Sequence, residues 1–325
     1  MRKLLFIFNL FLTGSCAFGQ QLPIYSQYLY NKFLINPAVA GSDGYTSINL
    51  TAREQWVGYY GAPETFSFSW QARMLKKSYI LKETKVNKEV FRPKSDGKVG
   101  LGASIFSDKN GLIQRTGFQV SYAYHMWLMN STQLSMGLAF TGCYYKINDK
   151  LINFEDPNEP WLNNNLRRGM FVPDVTFGTY LLNAKYSLGF SADQLSQSVA
   201  KIGDNAYKNF QMKRQYYLFG SYDFSANSHS IIQPSFLAMM SEQFKPQVNL
   251  GATYIYNQDF WAGLAYRTSG AIITNIGVKF QNIFIGYAVD FTLQEIQKIT
   301  YGTHEITVAL KFGDNTRRYR WLDRY

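Results

Sequence analysis

The feature that most constrains this chain is a strict alternation of apolar and polar residues over many long segments from residue 46 onward. Between residues 65 and 73, for example, Phe66, Phe68 and Trp70 alternate with threonine, serine and glutamine. A period of two predicts strands with one apolar and one polar face. Fourteen such strands are predicted: 46–56, 65–75, 98–107, 115–128, 132–146, 171–182, 185–193, 213–225, 229–240, 245–257, 259–269, 271–281, 282–294 and 303–313.

The predicted strands are too long for an ordinary soluble sheet. Strands of globular proteins have roughly 5–6 residues, whereas a tilted strand needs roughly 9–11 residues to cross a bilayer. The sequence therefore predicts an all-β fold, a fourteen-stranded antiparallel transmembrane β-barrel, with a large soluble β-sandwich as the alternative. The 24 Tyr and 25 Phe with a mean hydropathy of only −0.22 agree with a lipid-facing surface averaged against a polar lumen.

The N-terminus predicts export. Arg2 and Lys3 precede a short apolar run, and small residues around Ala17 and Gly19 suit cleavage, so residues 1–19 are predicted to be a secretory signal peptide. Lipidation at Cys16 is the alternative. No later segment holds 18 consecutive apolar residues, so no membrane-spanning helix is expected. The formal charge of +11 does not indicate a nucleic-acid partner, because an exported protein rarely meets nucleic acid.

The connections between the predicted strands differ in length according to parity. Those after strands 4, 6, 8, 10 and 12 are short and rich in asparagine, as in hairpin turns, whereas those after odd strands are mostly longer. The longest are 147–170 and 194–212. Both ends of a bacterial barrel usually lie in the periplasm. The sequence therefore predicts periplasmic termini, short periplasmic turns and outward-facing long loops.

The predicted lumen face leaves room for another segment. Small or polar residues occupy it on strands 3 and 4, namely Gly100, Gly102, Ser104, Gln119, Ser121 and Ala123. Residues 20–45 have no strand period and are rich in turn residues, so they are predicted to fill the lumen or to cover its periplasmic mouth. The residues predicted to form this plug are Tyr25, Gln27, Tyr28, Asn36 and Pro37.

Recognisable catalytic motifs are absent from the sequence. The three histidines, His125, His229 and His304, do not stand at metal-ligand spacing, and Cys143 is a single thiol without a nearby histidine. The chain is therefore predicted not to be an enzyme and to need no cofactor or metal. Two alternatives stay open: calcium binding by the oxygen-rich loop 154–161, and a barrel lipase or protease if a serine or aspartate lies beside His125 or His304.

The region after the predicted signal peptide resembles a known family. Tyr25-Ser26-Gln27-Tyr28, Asn36-Pro37-Ala38-Val39-Ala40-Gly41, Gln55-Trp56-Val57-Gly58 and Gly61-Ala62-Pro63-Glu64-Thr65 occur in the order found in PorP/SprF proteins. These are outer-membrane proteins of the type IX secretion system of Bacteroidota. The resemblance implies a barrel that works with the secretion and gliding machinery and assists export or surface attachment of a large cargo protein with a C-terminal sorting domain. A passive diffusion porin is the alternative function.

The resemblance implies partners on both sides of the outer membrane: the cargo outside, and periplasmic secretion components inside. Some relatives carry an OmpA-like peptidoglycan-binding domain, and this chain is expected to lack one. The predicted division is signal peptide 1–19, plug 20–45, barrel 46–313 and basic periplasmic tail 314–325. Aromatic residues Phe154, Trp161 and Tyr207 are predicted to dock the cargo. A basic set is predicted to dock the periplasmic partner: Lys82, Lys85, Lys88, Arg317, Arg318, Arg320 and Trp321. The alternative roles of that charge are to keep the protein soluble during assembly and to contact anionic lipid.

Overall fold

The polarity of the sheet is inverted relative to a soluble protein. In the computed structural model, which describes residues 25–74, 98–129, 132–147, 169–197, 199–200, 210–242 and 244–312, the polar side chains of the first strands are buried. Ser47, Asn49 and Thr51 point inward, whereas Leu50 and Phe66 are more than half exposed on the outside. An apolar outer surface around a polar interior is the pattern of a barrel in lipid. The alternation in the sequence thus becomes a lipid face and a lumen face.

Fourteen antiparallel strands form one sheet. They are β1 Thr46–Glu54, β2 Glu64–Met74, β3 Val99–Asn110, β4 Ile113–Met129, β5 Thr132–Ile147, β6 Met170–Asn183, β7 Tyr186–Asp193, β8 in two parts Gln215–Tyr222 and Phe224–Asn227, β9 Ser230–Ser241, β10 Phe244–Tyr256, β11 Phe260–Arg267, β12 Ala271–Phe280, β13 Ile283–Thr292 and β14 Thr303–Phe312. A small hairpin, Val199–Ala200 with Phe210–Gln211, lies in the β7–β8 connection.

The sheet closes on itself, as the sequence predicted. Strand β1 pairs with β14 from Thr46–Phe312 to Glu54–His304, and every other strand pairs with its neighbours in the chain. Closure is required in lipid, because hydrocarbon cannot satisfy the hydrogen-bonding groups of an open sheet edge. No helix among the described residues is long and apolar enough to cross a membrane.

Strand β8 is interrupted once, which the alternation did not indicate. Its two parts pair with β9 in one register, Ser221 with Ser235 and Phe224 with Ile232, so they belong to a single strand. The interruption lies beside Pro234, which has no backbone N–H to donate to the sheet. Asp223 at the break instead accepts a hydrogen bond from the Gln233 side chain at 2.7 Å.

Several strand ends differ from the predicted bounds. The β3–β4 hairpin is longer than predicted, because Gly111 adopts a φ of 56° and allows a tight turn between Asn110 and Ile113. Strand β1 is shorter than predicted and ends at Glu54. Strand β13 ends at Thr292, and a 3-10 helix, Glu295–Ile299, occupies part of the β13–β14 connection.

The two ends of the barrel differ in their connections. We call the end with the connections after odd strands the loop end, and the other the turn end. Apart from the β2–β3 connection, every connection at the turn end is at most three residues long. At the loop end, the connections after β1, β5, β7 and β13 are long, and those after β3, β9 and β11 are tight. The parity predicted from the sequence is confirmed.

Residues 25–45 run through the lumen from the loop end to the turn end. The two ends of the barrel, Thr46 and Phe312, pair with each other at the turn end, as predicted, whereas the first described residues of the lumen segment lie near the loop end. Backbone N–H groups of Ser26 and Gln27 bind Glu305 near the loop end, and Asp43 lies 3.7 Å from Lys311 at the turn end. Polar groups on several strands hold the first described residues of the segment at the loop end. The segment therefore crosses the lumen to reach the turn end, where β1 begins.

Candidate functional site

A buried ionic cluster fixes the beginning of the lumen segment 25–45. The Arg53 guanidinium lies 3.0 Å from Asp290 and 2.9 Å from Glu305, and Arg267 lies 3.0 Å from Asp290. These side chains come from β1, β11, β13 and β14, and each is at most 7% exposed. Charges removed from water are stable only when they are paired and hydrogen-bonded. This cluster meets that condition, because its two cations face two anions.

The lumen segment completes this cluster. Glu305 accepts hydrogen bonds from the backbone N–H groups of Ser26 and Gln27, both at 2.8 Å. The Ser26 hydroxyl donates to Asp290 at 2.7 Å and accepts from Arg53 at 2.7 Å. The segment thus supplies hydrogen-bond partners to the two carboxylates and to the Arg53 guanidinium, in place of water. The contact joins four strands of the wall to one point of the segment.

Glycines in the barrel wall allow the middle of the lumen segment to pack closely against it. A Cβ at Gly137 would meet the backbone of Ala38, a Cβ at Gly178 would meet the Asn36 side chain, and a Cβ at Gly100 would meet the Ala40 carbonyl. Close backbone approach of this kind requires glycine. The Asn36 amide donates to the carbonyls of Thr179 at 2.9 Å and Phe190 at 3.1 Å. The segment therefore packs directly on the barrel backbone.

A second cluster of polar side chains holds the segment near the turn end. His125 contacts the Ala40 carbonyl through Nε2 at 3.0 Å and the Ser135 hydroxyl through Nδ1 at 2.7 Å. The Gln133 amide donates to the Ser42 carbonyl at 3.2 Å and its oxygen accepts from Arg73 at 2.9 Å. These contacts give the backbone carbonyls of the segment hydrogen-bond partners where water is excluded.

Apolar contacts fill the space between these polar attachments. Phe33 is fully buried and lies over Gly102, and Tyr30 stacks on Trp261 with ring centroids 4.9 Å apart. The described part of the lumen contains a cavity of about 100 Å³ on the loop side. The lumen is thus filled rather than open.

The histidines and the cysteine do not form a recognisable active site. A serine does lie beside His125, but both residues are fully buried beneath Ala40, where a substrate cannot reach them. His229 contacts its neighbour Ser228, and His304 contacts the Tyr287 hydroxyl at 2.6 Å. The hydrogen bonds of the described residues bring no carboxylate to any of these rings. The described residues also contain no group of three or more His, Cys, Asp or Glu that could hold a metal ion.

The structure locates all five residues of the predicted plug set in or against the lumen. Tyr25 and Pro37 line the loop-side cavity, Gln27 bonds to Glu305, Tyr28 is buried, and Asn36 bonds to β6 and β7. The predicted docking residues lie outside the described residues: Phe154, Trp161, Tyr207, Lys82, Lys85, Lys88, Arg317, Arg318, Arg320 and Trp321. The predicted signal peptide, Cys16, the tail and loop residues 154–161 lie outside them too.

Sequence reasoning missed the ionic cluster. Arg53, Arg267, Asp290 and Glu305 are separated by up to 252 residues in the chain, so spacing alone could not bring them together. One signal was available: each stands on the polar, lumen-facing side of an alternating strand near its loop end. A charge on that side of a membrane barrel needs a partner across the lumen or within it.

The chain is similar to known proteins in sequence and in fold. The sequence profile described as "Type IX secretion system membrane protein PorP/SprF" matches residues 17–310. No curated protein matches in sequence. Among solved structures, the toluene transporter TodX of Pseudomonas putida is 9% identical with a TM-score of 0.46, covering 86% of this chain and 93% of its own. CdiB from Acinetobacter baumannii is 6% identical with a TM-score of 0.42, covering 82% and 60%.

A closed antiparallel barrel with an apolar outer face and a polar, filled lumen is an outer-membrane β-barrel protein. The profile match extends over nearly the whole of the barrel. The chain belongs to the PorP/SprF family of type IX secretion membrane proteins.

Proposed function

We propose that this protein is a non-enzymatic barrel that assists export or surface attachment of a type IX cargo protein carrying a C-terminal sorting domain. One observation supports this role over that of a passive porin. The lumen is filled by residues 25–45, which are bound to Asp290 and Glu305 at the loop end and to His125 at the turn end. Family membership supports work within the secretion machinery.

The proposal assigns cargo docking to the two long loops, 147–170 and 194–212. Outer-membrane barrels usually carry their longer loops on the extracellular side. Phe154, Trp161 and Tyr207 in these loops are the proposed anchors, because aromatic residues near the centre of an interface carry much of its binding energy, roughly 2 kcal/mol or more each. A role in gliding motility would follow if the retained cargo is an adhesin.

The first prediction concerns these anchors. Replacing Phe154, Trp161 and Tyr207 together with Ala should release the surface cargo into the medium while the barrel stays in the outer membrane. Cargo is measured by immunoblotting of cells and of cell-free medium. Tyr60→Ala is the matched control, because Tyr60 is an aromatic residue at the loop end, 84% exposed, outside both loops. Unchanged retention in the triple variant would remove these loops as the docking site.

The proposal also assigns contact with a periplasmic secretion component to the basic set defined above. Residues 76–97 carry seven Lys or Arg against three acids, so an acidic surface is the complement. Trp321 among the arginines suits a protein contact, since interfaces are enriched in Arg and aromatic residues.

The contact between the basic set and a periplasmic component is tested in the same kind of cells as the cargo contact. Changing Lys82, Lys85, Lys88, Arg317, Arg318 and Arg320 to Gln should reduce co-purification of periplasmic components without releasing cargo. Lys298→Gln, 77% exposed at the loop end, is the control. Equal yields of the same components from the sextuple variant and the control would reject the basic set as the docking surface.

A further inference from the structure

A groove of about 480 Å³ lies on the outer, lipid-facing surface of the barrel, across strands β10 to β13. Six of its lining side chains are large, aromatic or aliphatic, and more than a third exposed: Tyr254, Tyr256, Phe260, Ile276, Ile285 and Tyr287. Sites for small organic ligands usually have roughly 300–1,000 Å³. The groove is therefore large enough to hold a ligand, and it opens toward the membrane rather than toward the lumen.

The groove exists because a small residue stands between large ones. Ala262 on β11 lies directly opposite Tyr254 on β10 and Ile276 on β12. Its methyl group is much shorter than the side chains on either side, so the surface is depressed above it. On the lumen side of the same wall, Trp261 stacks on Tyr30 of the lumen segment. The floor of the groove is thus supported from behind by close packing.

Hydrogen bonds to neighbouring strands fix the two side walls. The hydroxyl groups of Tyr254 on β10 and Ser230 on β9 share a hydrogen bond of 2.8 Å. The Tyr287 hydroxyl on β13 contacts Nδ1 of His304 on β14 at 2.6 Å. Because both rings are held in place, the groove is formed before a ligand binds, and binding requires little further ordering of the protein.

The lining of the groove is suited to a hydrocarbon chain. Among the described residues, no charged side chain lines it, and the hydroxyl groups of Tyr254 and Tyr287 are already bound. An extended peptide is excluded, because every backbone N–H and C=O in lipid needs a hydrogen-bond partner. An acyl chain has no such groups. Four strands spaced about 4.8 Å apart extend over about 14 Å, close to the thickness of one hydrocarbon leaflet, about 15 Å.

The position of the groove along the barrel indicates the leaflet. Tyr256 ends β10 and Phe260 begins β11, so both flank a connection at the turn end, and Ile285 is the third residue of β13. The other lining residues reach no further than the middle of the strands. Because both ends of a bacterial barrel usually lie in the periplasm, the turn end is the periplasmic end. The groove therefore opens into the periplasmic leaflet, which consists of phospholipid.

We infer that this groove is a binding site for one acyl chain of a phospholipid from the periplasmic leaflet. The chain lies over Ala262, between the rings of Tyr254 and Tyr287, and the headgroup lies at the turn-end interface. The site is independent of the proposed cargo and periplasmic contacts, whose residues do not line it. It differs from the rest of the outer surface, where a lipid touches the barrel on one side only.

Native mass spectrometry tests the site on the full-length protein. Protein purified from outer membranes in mild detergent should retain one phospholipid, identified by its mass. After delipidation, titration with dioleoyl phosphatidylethanolamine should show one site, and Ala262→Phe should weaken its affinity at least about tenfold, because the ring fills the groove. Ala252→Phe is the matched control, since Ala252 on β10 is also exposed but does not line the groove. Resistance to SDS before heating verifies folding.

Four outcomes would count against the site. Equal affinities in the wild type and Ala262→Phe, equal losses in both variants, or the lack of a distinct first binding step would each overturn it. Retention of lipid A in place of phospholipid would overturn the assignment to the periplasmic leaflet. A second copy of the chain retained in place of lipid, and lost in Ala262→Phe, would make the groove a contact between barrels.

Photo-crosslinking tests the site without any substitution. A phosphatidylethanolamine with a diazirine in the middle of one acyl chain loses N₂ on irradiation, and the resulting carbene inserts into a neighbouring bond. In liposomes containing the wild-type protein, adducts should be several-fold more frequent on residues 254–262 and 276–287 than on the exposed residues of β2 to β4. An even distribution over the lipid-facing strands would overturn the site.

Discussion

At the scale of single residues, the lumen is organised by paired charges rather than by apolar contacts. Arg53 bonds to both Asp290 and Glu305, and Arg267 also bonds to Asp290. Ser26 joins the lumen segment to this arrangement through its backbone and its hydroxyl. Removing one partner of a buried ion pair leaves the others uncompensated, which is more destabilising than losing an exposed pair.

Arg53→Gln should therefore lower the free energy of unfolding by about 3 kcal/mol. The control is Lys109→Gln, which removes an exposed pair, Lys109 with Glu64 at 3.7 Å, and should cost less than about 1 kcal/mol. Unfolding of the detergent-solubilised protein in urea, followed by tryptophan fluorescence, measures both values. Equal losses in the two variants would show that the cluster adds nothing beyond a surface pair.

The sequence predicted the faces of the strands better than the residues that meet across the lumen. Alternation assigns Arg53 and Glu305 to the polar side of β1 and β14 because a strand has a fixed period of two. It does not give their separation in space, which depends on closure of the sheet and on the path of residues 25–45. For the same reason the loop-side cavity could not be predicted, because the side chains that line it meet through the register of β5, β6 and β7.

At the scale of elements, the barrel wall and the lumen segment fit each other through glycine. Gly100, Gly137 and Gly178 lie where the segment touches the wall, and a side chain at any of them would collide with it. The sequence identified small residues on the lumen face, among them Gly100 and Gly102, but not which of them touch the segment. That information lies in the path of the segment, for which no periodicity exists.

Gly137→Val should displace the segment near Ala38 and weaken its attachment. Amide hydrogen exchange in residues 36–41, followed by mass spectrometry, should become at least about tenfold faster while the strands keep their protection. Gly251→Val is the control: this glycine also faces the lumen, and an added Cβ would meet Ala265 and Leu264 of β11 rather than the segment. Equal exchange in residues 36–41 for the two variants would contradict the fit described here.

Strand ends were the least predictable part of the elements. The strands on either side of the tight turn at Gly111 were predicted to stop several residues short of it, and β13 was predicted to extend to residue 294, two residues beyond its end at Thr292. The break in β8 lies opposite Gln233 and Pro234 of the neighbouring strand β9. Effects of a neighbouring strand are not visible in the alternation of the strand itself.

At the scale of the whole molecule, the protein is a barrel with an occupied lumen. Closure and the polarity of the two faces could be predicted because lipid imposes them directly, and the strand number was predicted by counting the alternating segments. The direction of the lumen segment was not predicted. The described chain begins at the loop end, so the wall is in contact with residues 25–45 along the length of the barrel.

Conductance in planar lipid bilayers distinguishes an occupied lumen from an open one. The full-length protein should insert without opening a steady channel, and deletion of residues 20–45 should produce one. Folding of both proteins is verified by their resistance to SDS before heating. A large, steady conductance from the full-length protein, equal to that of the deletion variant, would contradict an occupied lumen and favour a passive porin.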